Sequence, residues 1–272
     1  MMSLDECADA ADELLRITTE AAQATLARWR TPLEVTHKGA IDLVTQVDLS
    51  TEALLRKRLT RAFPGCDLVG EETGGEASGT RPVLYLDPLD GTTNYAHGHA
   101  FFCTTVALCI GDQAVAGAVV APALGWSYVA SSQRGARRNG ALVRVSRATS
   151  LDAALLATGF PYDLREHPEN NLREFNHLAF RCQGIRRCGS AALDLCLTAD
   201  GTYDAYWERK LKPWDLAAGS LFVREAGGVV TDTEGGPLSL LRGSLLATNG
   251  ALHLPLVEAL REARERPVVT PA

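Results

Sequence analysis

Apolar residues recur at helical spacing from the start of the chain. Leu4, Ala8, Ala11, Leu15, Ala22 and Trp29 fall along one helix running to Arg30. Ser3 and Glu6 have the S-x-x-E form of a capping box, which satisfies orphan N–H groups at a helix start. Pro32 ends the helix, because it has no N–H and clashes with the preceding turn. Residues 51–62 predict a second amphipathic helix. The helical period then stops. Residues 67–70 and 83–86 are short apolar runs that read as strands leading into acidic residues. From Phe101 to Ser146 come the β-rich runs 101–110, 113–124, 126–132 and 141–146. Gly111-Asp112, Gly125 and Arg138-Asn139-Gly140 punctuate them, which predicts an antiparallel meander.

Beyond residue 146 the pattern alternates. Strands are predicted at 155–160, 185–187, 203–207, 229–231 and 245–248, and helices at 169–181, 190–198, 214–226 and 254–264. Such alternation places helices in layers on a sheet. The expected fold class is α/β, a layered α+β sandwich. An antiparallel-rich N-terminal half spans 1–146 and a smaller α/β half spans 147–266, with the active site between them. Residues 267–272 read as a loose tail.

Composition narrows the function classes. The 272 residues are 46% hydrophobic and 22% charged, as in ordinary globular proteins. The net charge of −6 argues against nucleic-acid binding, which needs clustered cations to release counterions. The longest apolar run, 114–126, is too short to cross a bilayer and contains Gly and Pro, so no membrane contact is expected. The acidic start, Met1 to Glu6, lacks the apolar stretch of a secretory signal, and the seven cysteines include no C-x-x-C pair. Buried reduced thiols in a cytoplasmic protein are the expectation.

The segment 86–94, LDPLDGTTN, carries the most chemistry. An apolar run delivers Asp87 and Asp90 into a loop in which Pro88 limits the backbone and Gly91 frees it. Two hydroxyls, Thr92 and Thr93, follow. Oxygen-only ligation is what hard cations such as Mg²⁺ prefer, and no Cys or well-spaced His is offered for zinc. Glu71 and Glu72 follow the earlier strand, and Asp215 opens a later helix. Carboxylates about 4 Å apart repel by on the order of 4 kcal/mol per pair at an effective dielectric near 20, so a converged cluster calls for divalent cations. Spacing alone does not show convergence.

The segments 42–48 (DLVTQVD), 70–72 (GEE), 87–94 (DPLDGTTN) and 214–219 (WDLAAG), followed by 225–228 (EAGG), occur in that order. Together they resemble the inositol monophosphatase family of Mg²⁺-dependent, lithium-sensitive sugar phosphatases, over roughly residues 10–262. The resemblance implies a phosphoric monoester hydrolase of sugar-phosphatase fold with two to three Mg²⁺ ions, acting as a homodimer on a small-molecule phosphate monoester. It assigns Glu71, Asp87 and the Leu89 carbonyl to a first ion, and Asp87, Asp90 and Asp215 to a second. A weaker third ion would share Glu71. It further assigns Asp48 and Thr92 to a water-orienting pair, Gly91, Thr92 and Thr93 to the phosphate, and Gly189, Ser190, Ala191 and Glu208 to the polyol. Catalysis would then fall to Asp48, Thr92 and Glu71.

Simpler roles stand beside these. Asp48 and Asp215 could serve only as helix caps, and Glu72 as a solvated acid. Glu208 could pair with Arg209, Lys210 or Lys212. His97 and His99 read as structural, and Arg134, Arg137 and Arg138 as a solvated loop. The expected substrate is myo-inositol 1-phosphate. Histidinol phosphate, fructose 1,6-bisphosphate, 3′-phosphoadenosine phosphate and NADP remain alternatives, because Arg209, Lys210 and Lys212 could favour a second anionic group. Lys38 is a further candidate for the pocket. A transcription- or RNA-associated binding role is the reading from a different class.

Overall fold

A computed structural model describes residues 2–32, 35–37 and 43–265. Lys38, Asp42 and the expected tail 267–272 lie outside the described residues. Helix α1 (Leu4–Arg28) starts at the predicted capping box: the Glu6 N–H donates to Ser3 Oγ at 3.2 Å and the Ser3 N–H to Glu6 Oε2 at 2.6 Å. Strands β1 (Val35–His37) and β2 (Leu43–Thr45) pair antiparallel. Helix α2 (Gln46–Ala62) begins earlier than the predicted 51. Thr45 is its N-cap, so Asp48 lies inside the first turn instead of preceding the helix.

Strands β3 (Asp67–Gly70), β4 (Val83–Asp90), β5 (Cys103–Ile110), β6 (Gln113–Ala121), β7 (Trp126–Ser131), β8 (Ala136–Arg138) and β9 (Ala141–Leu142) form one sheet in chain order. β3 and β4 are parallel, and every later neighbour is antiparallel. The run 141–146 is not a full strand: Asn139 and Gly140, both at positive φ, make a two-residue hairpin that folds short β9 back on β8. A short helix α3 (Thr92–Ala96) follows β4 and was not expected, since five residues are too few to show a helical period.

The second sheet contains β10 (Leu155–Thr158), β11 (Gly184–Arg186), β12 (Ala205–Glu208), β13 (Val229–Thr231) and β14 (Leu245–Thr248), in the order β11-β10-β12-β14-β13. Helices α4 (Leu172–Ala179), α5 (Ala191–Ala199), α6 (Pro213–Glu225) and α7 (His253–Glu265) alternate with them.

Burial patterns give the layering. On the large sheet, Leu84, Leu86, Val106 and Leu108 pack with Leu14, Ile17, Leu55 and Leu59 of α1 and α2. The opposite face, with Tyr85, Ala107 and Val119, packs with Leu195, Ala218 and Phe222 of α5 and α6. Those helices also meet Ala157, Tyr206 and Ala247 of the small sheet. Leu156, Trp207 and Leu246 face α4 and α7 on the far side. The result is an αβαβα sandwich with α5 and α6 between the sheets.

Close approach in that middle layer explains the small residues after Trp214-Asp215. A Cβ on Gly117 of β6 would lie 3.2 Å from Ala218 Cβ, and a Cβ on Gly219 would overlap Leu195 of α5. Among the described residues no helix is long and apolar enough to cross a membrane. The seven cysteines are free thiols, four of them buried.

Candidate active site

Strand alternation decides where the first acid points. Val83 and Tyr85 face the α5–α6 layer, so Asp87 does too. Asp87 is buried, and its Oδ1 accepts the Leu89 N–H at 2.8 Å. A register shift between Asp87 and Asp90 breaks the ladder with β5 there. Glu71 follows β3, the parallel neighbour of β4. Asp215 sits in the first turn of α6, where Pro213 opens the helix and Asp215 Oδ2 accepts the Lys212 N–H at 2.7 Å. Glu71, Asp87 and Asp215 each offer a carboxylate oxygen within 4.8 Å of the others.

Asp90 is held differently. Its Oδ2 accepts the Ser190 hydroxyl at 2.6 Å and the Ala192 N–H at 2.8 Å, at the start of α5. Its charge still reaches the triad. Burial, then Glu71, Asp90 and Asp215, push the Asp87 carboxyl well above its ordinary range. Burial, then Glu71 and Asp90, do the same to Asp215. Like charges are therefore gathered at a cost, and the donors are all oxygen. That is the donor chemistry of a hard divalent cation, and the residues fit one. His97 and His99 belong to no such cluster among the described residues.

Gly91 adopts φ +92 between the acid loop and α3, and a Cβ there would lie 3.0 Å from the Phe101 carbonyl oxygen. Its conformation presents Thr92 to Asp48. Thr92 Oγ1 lies 3.1 Å from Asp48 Oδ1 and 3.0 Å from the Leu89 carbonyl oxygen, and its single proton serves one acceptor at a time. Asp48 Oδ2 accepts the Thr45 N–H at 2.8 Å and the Thr45 hydroxyl at 2.5 Å. Asp48 thus caps α2 with one oxygen and meets Thr92 with the other. Burial outweighs these hydrogen bonds and raises its carboxyl.

These groups border a cleft of about 310 Å³ lined from both halves of the chain. Glu71, Asp87, Leu89, Asp90, Gly91, Thr92, Thr93, Gly189, Ser190, Ala191, Glu208 and Asp215 all line it. Asp48 does not, and touches the site through Thr92. Glu208 is buried and accepts the Tyr206 hydroxyl. Two of its three suggested cationic partners are engaged elsewhere: Arg209 pairs with Glu234 at 2.7 Å and Lys210 with Asp163 at 2.6 Å. Burial pushes its carboxyl up to about 7.

The lining residues that were not anticipated include Asn94, Gly159 and Asp194. Asn94 Nδ2 donates to the Phe101 and Cys188 carbonyls at 2.7 and 2.8 Å, tying the acid loop to the second half. The Asn of the DPLDGTTN segment was the available signal. Gly159 leaves room for Glu208, whose carboxylate a Cβ would overlap. Asp194 is buried with Oδ1 lacking a hydrogen-bond partner. Burial, then Glu208 and Asp90, push its carboxyl well up.

A carboxylate triad with oxygen-only donors, beside a paired hydroxyl and carboxylate and under a polar cleft, defines a metal-assisted hydrolase. The chain belongs to the inositol monophosphatase family, whose model matches residues 4–265. It is 42% identical over 252 residues to an inositol-1-monophosphatase of Synechocystis, covering 90% of this chain and 88% of that protein. It is 40% identical to the Nus factor SuhB of Pseudomonas aeruginosa over 222 residues, covering 80% and 82%. The solved inositol monophosphatase of Anabaena superposes with a TM-score of 0.83 at 40% identity, covering 92% of this chain and 96% of that one. The protein is therefore a phosphoric monoester hydrolase of a metal-dependent family, generally Mg²⁺-dependent.

Proposed function

We propose that the protein hydrolyses a small polyol phosphate, foremost myo-inositol 1-phosphate, with two to three Mg²⁺ ions. The observation that carries this reading is the gathering of Glu71, Asp87 and Asp215 within 4.8 Å beside Thr92. Those three carboxylates, with Asp90 and the Leu89 carbonyl, would hold the cations. When bound, the cations supply neutralisation of phosphate charge and acidification of water at neutral pH. Phosphoryl transfer leaves little covalent work to the protein, so positioning dominates.

The chain's residues do that positioning. Thr92 Oγ1 directs its proton to Asp48 Oδ1 and turns a lone pair toward a water's proton. Glu71 borders the same space. Gly91, Thr92 and Thr93 border the phosphate position, and Gly189, Ser190 and Ala191 the polyol. Glu208, with neighbouring Asp194, offers buried acceptors suited to hydroxyl donors and unfavourable to a second phosphate. This favours the polyol over fructose 1,6-bisphosphate, NADP or 3′-phosphoadenosine phosphate; histidinol phosphate, with one phosphate and a cationic amine, is separated from it by the assay below. The reading includes a cytoplasmic homodimer, on the family resemblance.

A second reading, a transcription-associated role, is prompted by the relative named Nus factor SuhB. The basic run does not support it: Arg134 pairs with Asp5 and Arg138 with Asp200, so two of its three cations are neutralised within the chain. Phosphate release from the five substrates, with and without Li⁺, tests the main reading. Preferred, Li⁺-inhibited turnover of inositol 1-phosphate is expected. Release from none of them with Mg²⁺ present would overturn the reading.

A further inference from the structure

Helix α2 carries a second carboxylate one turn beyond Asp48. Glu52 is fully buried. Its Oε2 accepts the Glu72 N–H at 2.7 Å, and its Oε1 accepts the Thr73 N–H at 3.1 Å together with the Thr73 hydroxyl. Arg56 Nε donates to Oε1 at 2.8 Å, and the same guanidinium reaches the Gly74 carbonyl. Reciprocal N–H···O bonds of 3.0 and 3.1 Å between Gly70 and Gly74 close the turn. Gly70 leaves the space that the carboxyl fills, since a Cβ there would lie 2.8 Å from Glu52 Cδ.

The fastened turn is the one that carries Glu71. Asp87 is fixed by a strand and Asp215 by a helix; Glu71 stands just past β3 in a five-residue reversal, where its own N–H donates to the Leu86 carbonyl of β4 at 3.3 Å and the rest of the turn is set by Glu52. Burial would push the Glu52 carboxyl up, yet hydrogen bonds from Thr73, Arg56 and the two turn amides outweigh it and hold the group below its ordinary value. An ionised acceptor makes those turn bonds charge-assisted and therefore stiff.

We propose that Glu52 is a positioning residue for Glu71, setting the turn that completes the carboxylate triad and so the strength with which the triad holds a divalent cation. Because Asp48 lies one turn earlier on α2, one helix then fixes both the Thr92 side and the Glu71 side of the cleft. The proposal rests on the reading of Glu71 as a cation ligand.

Thermal melting followed across a Mg²⁺ titration tests it, with E52Q, T73V and E71Q beside wild type. E52Q is expected to need about 10- to 100-fold more Mg²⁺ to gain half of the melting-temperature rise that wild type shows at the top of the titration, the concentration taken as its midpoint, as when other supports behind a metal ligand are lost. Turnover of E52Q at high Mg²⁺ should recover toward that of wild type, because the ligands themselves are intact. A Glu52 that only stabilises the fold would lower the metal-free melting temperature and leave the Mg²⁺ midpoint in place, which overturns the proposal. E71Q separates the two readings. An unmoved midpoint in E71Q sinks the cation-site reading; a midpoint moved by E71Q but not by E52Q sinks only the positioning role. If E52Q does not fold, T73V, which keeps the Arg56 contact and both turn amides, should shift the midpoint several-fold in the same direction. An unchanged midpoint in T73V then overturns the proposal.

Discussion

Glu208→Gln removes one negative charge from the cleft wall with almost no change in side-chain size. Glu208 is 8% exposed, and burial pushes its carboxyl from the ordinary 4.5 up to about 7, against the hydrogen bond from Tyr206 and the charge of Arg187. Between those two values the folded chain binds more protons than the unfolded chain. Stability therefore falls as pH rises from about 4.5 through about 7, and the loss is complete above the folded value. A displacement of that size corresponds to roughly 3 kcal/mol at pH 8. Glutamine does not titrate and escapes the loss. Urea unfolding of metal-free wild type and E208Q, from pH 4 to pH 8.5, reads the difference. Near pH 4 the stability gap should be smallest. By pH 8 it should have moved in favour of E208Q by up to about 3 kcal/mol, or about 6 °C in melting temperature for a chain of this size. KM for inositol 1-phosphate should rise at the same time, since an anionic acceptor for a substrate hydroxyl is gone. A stability difference that stays flat across this pH range would refute the argument that burial holds Glu208 partly protonated.

Three further outcomes are expected. Asp87→Asn should raise the metal-free melting temperature at neutral pH, because burial and the Glu71, Asp90 and Asp215 charges disfavour the ionised group. It should also abolish the rise that Mg²⁺ gives wild type, about 2.7 kcal/mol at a hundredfold excess over Kd; calorimetry with and without Mg²⁺ checks both. Thr92→Ala should lower kcat by roughly 10²-fold or more while costing only about 1 kcal/mol of stability for its lost hydrogen bond; equal collapse of both would mark Thr92 as structural. Gly159→Ala should displace the Glu208 carboxylate that occupies the space of its Cβ. Misplacement near the reacting group can cost on the order of 10²-fold, so kcat/KM should fall with the metal-induced melting shift unchanged.

Elements with a sustained period were legible in the sequence, and elements without one were not. The apolar run that opens β4 and the stripe of α1 could be read directly. The first turn of α2, residues 46–50, has no i, i+4 apolar pair, so its start is set by the Thr45 cap and carries no periodic signal. The acids of the site were legible as residue types in a family pattern, but their separations of 16, 3 and 125 residues carry no information on convergence. Convergence depends on α6 lying between the sheets. Glu52, Gly159 and Asp194 escaped notice for the same reason: each owes its role to a partner distant in sequence or to a packed layer. Asp194 in particular reads as the one charged position on a mostly apolar helix, and its burial with Oδ1 lacking a hydrogen bond sets it apart.

The packing of α6 and the charge of the cleft are parts of one arrangement. Asp215 can approach Asp87 only because the following turn is Ala217-Ala218-Gly219, small enough to lie against Gly117 of β6 and Leu195 of α5 at once. A larger side chain there would move the N-terminus of the helix, and Asp215 with it, away from β4. The interlayer contacts must therefore hold the helix in place while burial and like charge oppose ionisation of Asp87 and Asp215. A cation that binds the folded triad but not the unfolded chain relieves that opposition and adds to stability by mass action. The feature that weakens the metal-free fold is thus the one that makes cation binding favourable, so stability without metal and cation affinity should change in opposite directions when a triad carboxylate is neutralised.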